Sequence, residues 1–208
     1  MNTDQLNHDI AGKSAQEIIA WALERAGDEA IISTNFRAYE AVLLHLVTRA
    51  RPDIPVLWAD HGYNTPQTYK CAEQIIDQLG LNIHLFVPKR TRAHRDTVND
   101  GIPDIENQAA HDAFTAEVKL EPFTRGLNEL NPSVWFTALR RETQYRQSLE
   151  VVSEFKPGLL RVSPVLDWSD EQMDAYLAEH NLPSERMYFD PTKVVASREC
   201  GLHVMNEK

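Results

Sequence analysis

Ala30-Ile31-Ile32-Ser33-Thr34-Asn35-Phe36-Arg37 is a short apolar run with β-branched residues followed at once by a polar turn, and a helical apolar pattern through Val42, Leu46 and Val47 comes next. The apolar run reads as a strand and the later pattern as a helix. Strand, polar turn and helix in that order aim backbone N–H groups at an anion, which makes Ser33, Thr34, Asn35 and Arg37 the first candidate binding residues. The unit then repeats. Val56-Leu57-Trp58-Ala59 is a buried-strand pattern ending at Asp60, Asp60-His61-Gly62-Tyr63 is a turn, and Pro66 is placed to open a helix through Tyr69, Ala72, Ile76 and Leu79, closed by Gly80. Ile83 to Val87 is a third strand. Strands alternating with helices of this length imply right-handed parallel β-α-β units. The expected fold class is therefore α/β, a mostly parallel twisted sheet with helices on both faces. Ligands in such sheets sit at the carboxyl ends of the strands, where the turns 33–37 and 60–65 lie, so Asp60 and Gly62 join the candidates.

Outward from this centre the pattern continues in both directions. Ser14 and Glu17 form a capping box for a helix running out near Gly27, and residues 1–13 before it are polar and expected to be frayed. From Lys89 to about Thr115 the pattern weakens to a long loop with short helical pieces, whose Lys89, Arg90, Arg92 and Arg95 read as a solvated basic face. Lys119-Leu120-Glu121-Pro122 introduces a helix carrying Phe123, Leu127 and Leu130, closed by Asn131-Pro132. Val134 to Leu139 reads as a fourth strand delivering Arg140 and Arg141 to the ligand edge, with Arg146 in the turn beyond. Arginine forks suit phosphate or sulfate oxygens bidentately. Leu159 to Val162 is a fifth strand, and Ser169 caps a helix burying Met173, Tyr176 and Leu177. Residues 184–208 show no periodicity and are expected to form a mobile tail.

That tail carries Arg198-Glu199-Cys200-Gly201-Leu202-His203. Cations on either side of a lone cysteine favour the thiolate, so Cys200 is a candidate nucleophile. A single Cys-x-x-His offers too few ligands for a structural zinc site, and no metal is expected. The other cysteine, Cys71, neighbours an apolar helix face and reads as a packing residue. Trp58, Trp135 and Trp168 read as core, His45 as a satisfied helix histidine, and His61 as a ligand-side residue.

The chain's 208 residues suit a single domain, 1–208. A net charge of −10 argues against nonspecific nucleic-acid binding. No apolar run approaches a membrane span and the N-terminus lacks the form of a secretion signal, so the cytoplasm is the default. Two cysteines are too few for a disulfide framework or for an iron–sulfur cluster held by four thiolates.

Taken in order and spacing, Ser33-Thr34-Asn35-Phe36, Arg51-Pro52-Asp53-Ile54-Pro55-Val56, Asp60-His61-Gly62-Tyr63, Lys119-Leu120-Glu121-Pro122, Leu139-Arg140-Arg141-Glu142 and the Arg198 to His203 ending make the chain resemble the phosphoadenylyl-sulfate (PAPS) reductases of assimilatory sulfate reduction, from about Asp28 to His203. The resemblance implies an adenine-nucleotide α-hydrolase-like (PP-loop) sheet with a modified pyrophosphate loop at Ser33 to Arg37. It also implies attack by Cys200 on the sulfonucleotide sulfur, leaving a Cys S-sulfonate from which thioredoxin or glutaredoxin releases sulfite. Lys119, Arg140, Arg141, Arg146 and Arg198 would be the cations around the leaving phosphate, and His203 a hydrogen-bond partner of the sulfonate or of Cys200. Relatives often form homodimers. The branch acting on adenosine 5′-phosphosulfate usually carries cysteine pairs for a [4Fe–4S] cluster, so the 3′-phosphorylated substrate is favoured here. Arg37 stands where the family commonly has glycine, and the Pro183 to Cys200 connection is shorter than usual. The competing readings are a diverged paralogue on the same fold that transfers adenylyl groups from ATP, and a nonenzymatic nucleotide-binding protein.

Overall fold

The computed structural model describes residues 2–141 and 147–192. Among the described residues six strands form one sheet: β1 (Ala30–Thr34), β2 (Pro55–Ala59), β3 (Asn82–Phe86), β4 (Val134–Phe136), β5 (Val152–Lys156) and β6 (Leu159–Val162), in the order β3-β2-β1-β4-β6-β5. All neighbours pair in parallel except β5, which runs antiparallel to β6 at the edge. α2 (Ala15–Ala26) precedes β1, α3 (Glu40–Ala50), α4 (Pro66–Leu79), α5 (Arg92–Asn99), α6 (Gln108–Thr115) and α7 (Glu121–Leu130) lie between strands, and α8 (Asp170–Glu179) follows β6.

The central strands are covered on both faces, and their residues alternate between two cores. Ile32, Val56, Trp58, Phe136, Leu160 and Val162 face the layer of α2, α3, α4 and α8. Ile31, Leu57, Trp135 and Leu159 face α7 through Phe123 and Leu127. A strand buried on both sides needs no polar alternation, which is why these runs are nearly all apolar. Strand order reverses between β1 and β4, because β1 leads to β2 on one side and β4 enters on the other. That reversal opens a crevice at the carboxyl ends.

Four sequence expectations need correction. Residues 1–13 are not frayed throughout: α1 (Thr3–Asp9) is capped by the Asn2 side chain, with Leu6 and Ile10 buried. It docks because the Asn7 amide donates to the Val152 carbonyl (2.8 Å) and accepts from the Val152 N–H (2.9 Å), standing in for a further strand on the sheet edge. Second, β5 was not expected; Val152-Ser153-Glu154-Phe155-Lys156 has one wet face and few apolar residues to betray it. Third, β4 stops at Phe136: Thr137 makes a last bond to β6, its N–H donating to the Val162 carbonyl (2.9 Å) and its Oγ1 lying 2.8 Å from Ser163 Oγ, and Ala138 and Leu139 are outside the strand. Fourth, the tail expected from 184 onward is docked as far as Thr192, which is fully buried.

The weakly patterned stretch from 89 carries α5 and α6, then a π-helical turn over Ala116–Leu120 that runs into α7. Its Arg95 is buried rather than solvated, donating to the Gly101 carbonyl at 2.8 Å and lying 3.4 Å from Glu117. Arg90 makes a two-pronged pair with the same carboxylate (2.7 and 2.6 Å).

Candidate active site

The crevice at the strand reversal is an open cleft at the carboxyl ends of β1, β2 and β4. Ser33 and Thr34 at the end of β1, with Asn35 and Arg37 just after it, form one wall, and Thr137, Ala138 and Leu139 after β4 the facing one. Leu57, Ala59, Phe123 and Trp135 supply apolar surface, while His61, Lys119, Glu40 and Tyr188 complete the lining.

The β1 turn is tightly determined. Thr34 donates its hydroxyl to Glu40 Oε2 (2.7 Å) and accepts the Phe36 N–H (3.0 Å), while the Asn35 N–H donates to the same Glu40 oxygen (2.7 Å). Arg37 Nε lies 3.3 Å from Glu40 Oε1. Phe36 and Tyr39 take positive φ values of 55° and 71°, which non-glycine residues hold only when surroundings overdetermine them. Phe36 is fully buried with its ring 4.8 Å edge-on to Trp58, which supplies that constraint. Ser33 Oγ accepts from Trp135 Nε1 at 2.8 Å, so a tryptophan read only as core also shapes the wall.

Lys119 reaches the cleft from the π-helical turn, a local widening that commonly marks functional sites. Its ammonium is almost wholly buried and bonded to Asp190 and to Thr192 Oγ1 (3.1 Å). Asp190 also accepts the Thr192 N–H (2.9 Å) and hydroxyl (2.6 Å), and Tyr188 OH lies 3.3 Å away. Burial by itself raises the Asp190 pKa, but the Lys119 charge, His61 and the hydrogen bonds together hold this carboxyl far below the usual carboxylate range. His61 Nδ1 accepts the Tyr63 N–H (3.0 Å), which leaves the ring proton on Nε2, 3.9 Å from Asp190. His111 Nε2 lies 3.0 Å from the Pro191 carbonyl. The segment 188–192 is thereby fastened to Lys119 and His61 of the cleft lining, which Tyr188 itself joins.

The cleft thus brings together Ser33, Thr34, Asn35, Arg37 and Lys119 among the expected binding residues. Others serve elsewhere. Asp60 organises the β2 turn, accepting from the Gly62 N–H (2.9 Å), Asn64 Nδ2 (2.8 Å) and the Tyr69 hydroxyl (3.0 Å). Burial, then Asp60, pushes the Tyr69 pKa up to about 12. Gly62 supplies that turn's positive φ of 78°. Arg140, expected at the ligand, instead bonds Asp170 at the start of α8 (2.7 Å) and the Trp168 carbonyl (3.2 Å), stacked over the Tyr39 ring. Arg141 pairs with Asp167 at 3.0 Å, outside the cleft. Both arginines are turned away because β4 ends early and the chain after it crosses toward α8. Arg146, Arg198, Cys200 and His203 lie outside the described residues.

Sequence reasoning missed Glu40, Asp190 and the 137–139 segment. Glu40 offered one faint signal, its i+3 spacing from Arg37; Asp190 precedes a proline in a stretch without periodicity and offered none. Cys71 is buried in the α4 core as expected, and His45 Nδ1 is 2.9 Å from the Tyr176 hydroxyl.

The comparisons with known proteins concern this same frame. Residues 29–195 match the family model described as phosphoadenosine phosphosulfate reductase domain. A protein of Xanthomonas oryzae pv. oryzae (strain PXO99A), named phosphoadenosine 5′-phosphosulfate reductase, is 35% identical over 180 residues, covering 86% of this chain and 74% of its own. Among solved structures, the PAPS reductase of Candida auris in a phosphate complex superposes with a TM-score of 0.75 at 23% identity, over 87% of this chain and 86% of that one. The FMN adenylyltransferase of Candida glabrata, with FAD and pyrophosphate, shares the fold at a TM-score of 0.60 and 15% identity, over 82% and 56%. The sheet is therefore of the adenine-nucleotide α-hydrolase-like, PP-loop kind, and with the reductase model spanning the strands, the cleft and its docked segment, the chain belongs to the phosphoadenosine phosphosulfate reductase family.

Proposed function

We propose that this protein reduces 3′-phosphoadenosine 5′-phosphosulfate to sulfite and adenosine 3′,5′-bisphosphate, with Cys200 as nucleophile. The Cys200 thiolate attacks the sulfonate sulfur, the S–O bond to the 5′-phosphate breaks, and the bisphosphate leaves as Cys200 retains an S-sulfonate. One thiolate of reduced thioredoxin or glutaredoxin then attacks Cys200 Sγ and expels sulfite. The redoxin's second thiol resolves the mixed disulfide, so the dithiol's two electrons end on sulfur. Two cysteines in the chain leave no set of four thiolates for a cluster, which favours the 3′-phosphorylated substrate.

One observation carries this reading: the segment up to Thr192 is fastened to Lys119 of the cleft lining, and Cys200 lies eight residues further on. At ~3.6 Å per extended residue Cys200 lies within about 29 Å of that anchor, a reach that includes the cleft and so supports Cys200 as the nucleophile. The apolar surface of Leu57, Phe123 and Trp135 suits an adenine ring. The β1 turn and Lys119 suit its phosphates.

The test is sulfite release with thioredoxin on both sulfonucleotides, with Cys200→Ser alongside and intact-protein mass spectra without redoxin. Sulfite from the 3′-phosphorylated substrate, a sulfonate adduct at Cys200 and loss of both in the variant are expected. Nucleotide binding with no adduct and no sulfite overturns the reading.

A further inference from the structure

Three donors of the β1 turn converge on one carboxylate inside the cleft: the Thr34 hydroxyl and the Asn35 N–H, each 2.7 Å from Glu40 Oε2, and the Arg37 guanidinium, 3.3 Å from Oε1. Glu40 is the first residue of α3 and is buried while still touching the cleft. A hydroxyl, a backbone amide and a guanidinium at the start of a helix are the donor set that a phosphate or sulfonate oxygen takes. Here a side chain already has them. The turn is wound around this carboxylate, with left-handed Phe36 and Tyr39 on either side of Arg37, so the donors stay in place whichever anion occupies them.

We propose that Glu40 is an internal anion held in the cleft's anion cradle, and that an incoming phosphate or sulfonate group must take Thr34, Asn35 and Arg37 from it. Glu40 thereby weakens ligand affinity and sets a threshold of ligand charge, since a weakly charged nucleotide cannot outcompete a tethered carboxylate. The inference rests on the reading of the cleft as a sulfonucleotide site. It is distinct from a positioning role, in which Glu40 would aim Arg37 at the ligand and its loss would weaken binding.

Glu40→Gln keeps an acceptor oxygen for Thr34 and Asn35 and removes the charge. Calorimetric titration with adenosine 3′,5′-bisphosphate should show the variant binding tighter by on the order of tenfold, because a like charge beside the ligand phosphate is gone. Arg37→Gln should cost little in the wild-type background and much more in the Glu40→Gln background. Should Glu40→Gln not fold, Arg37→Gln alone decides, since a loss above about tenfold would mean that Arg37 already serves the ligand. Wild-type binding with unchanged or weaker affinity in a folded Glu40→Gln overturns this inference and leaves the reductase reading standing. No binding by either protein overturns both.

Discussion

Asp190→Asn is the perturbation that tests how the tail is fastened. The Asp190 and Lys119 side chains are 1% and 4% exposed, so solvent screens their pairing very little. Asparagine retains the oxygen that accepts both Thr192 donors but replaces Oδ2, the acceptor of Lys119 and Tyr188, with an NH2 donor, leaving the Lys119 ammonium buried without its counter-charge. Breaking a buried pair from one side costs about 3–5 kcal/mol. For a chain of this length that is a fall in melting temperature of roughly 6–20 °C at neutral pH. Because the folded carboxyl titrates far below its ordinary value of 3.8, the pair's stabilisation is complete above that value and lost as the pH falls beneath it. The gap between wild type and variant in urea denaturation should therefore be full at pH 7 and narrow below about pH 4. Adding Lys119→Met should restore part of the loss, since it removes the uncompensated buried charge. Trypsin should cut faster after exposed Arg186 in the single variant, because the anchor downstream of it is weakened. A variant within about 1 kcal/mol of wild type at pH 7, or a gap that widens on acidification, would refute the reasoning.

Gly126→Ala in α7 should destabilise by about 1–3 kcal/mol in urea melts, against the usual helix preference for alanine, because the added Cβ would lie 2.8 Å from Leu57 Cδ1 and 2.9 Å from Phe86 Cδ2. Ser14→Ala removes the cap accepting the Glu17 N–H and should cost about 1 kcal/mol, read by thermal denaturation, with sulfite release unchanged. Burial, and behind it Glu185, raises the Cys71 pKa, so in Cys200→Ser protein the remaining thiol should react with a disulfide reagent only as fast as the fold opens. Rapid labelling of native Cys200→Ser would count against its burial. Cys71→Ser should keep sulfite release intact.

Much of the fold was legible because its signals are local. Ser14 and Glu17 cap α2, Pro66 opens α4 and Gly80 closes it, as their chemistry requires of those backbone positions. The apolar strands announced a sheet buried on both faces, and strand–turn–helix at 30–42 placed the ligand edge. What stayed hidden depends on contacts distant in sequence. Asn7 finds Val152 across 145 positions and Lys119 finds Asp190 across 71. No local pattern encodes either partner.

The sequence alone determined the α/β class, the turn at Ser33 to Arg37 and the Cys200 motif, since helix caps, strand periodicity and a cysteine between Arg198 and His203 are written in neighbouring residues. Tertiary structure alone decided which cations face the cleft. Arg140 and Arg141 looked equal to Lys119 in the sequence, yet an early strand end turns them to Asp170 and Asp167, while a π-helical turn carries Lys119 inward. It also decided that the inward cations arrive with carboxylates in hand, Glu40 on Arg37 and Asp190 on Lys119, because a charge taken out of water is stable only with a partner beside it.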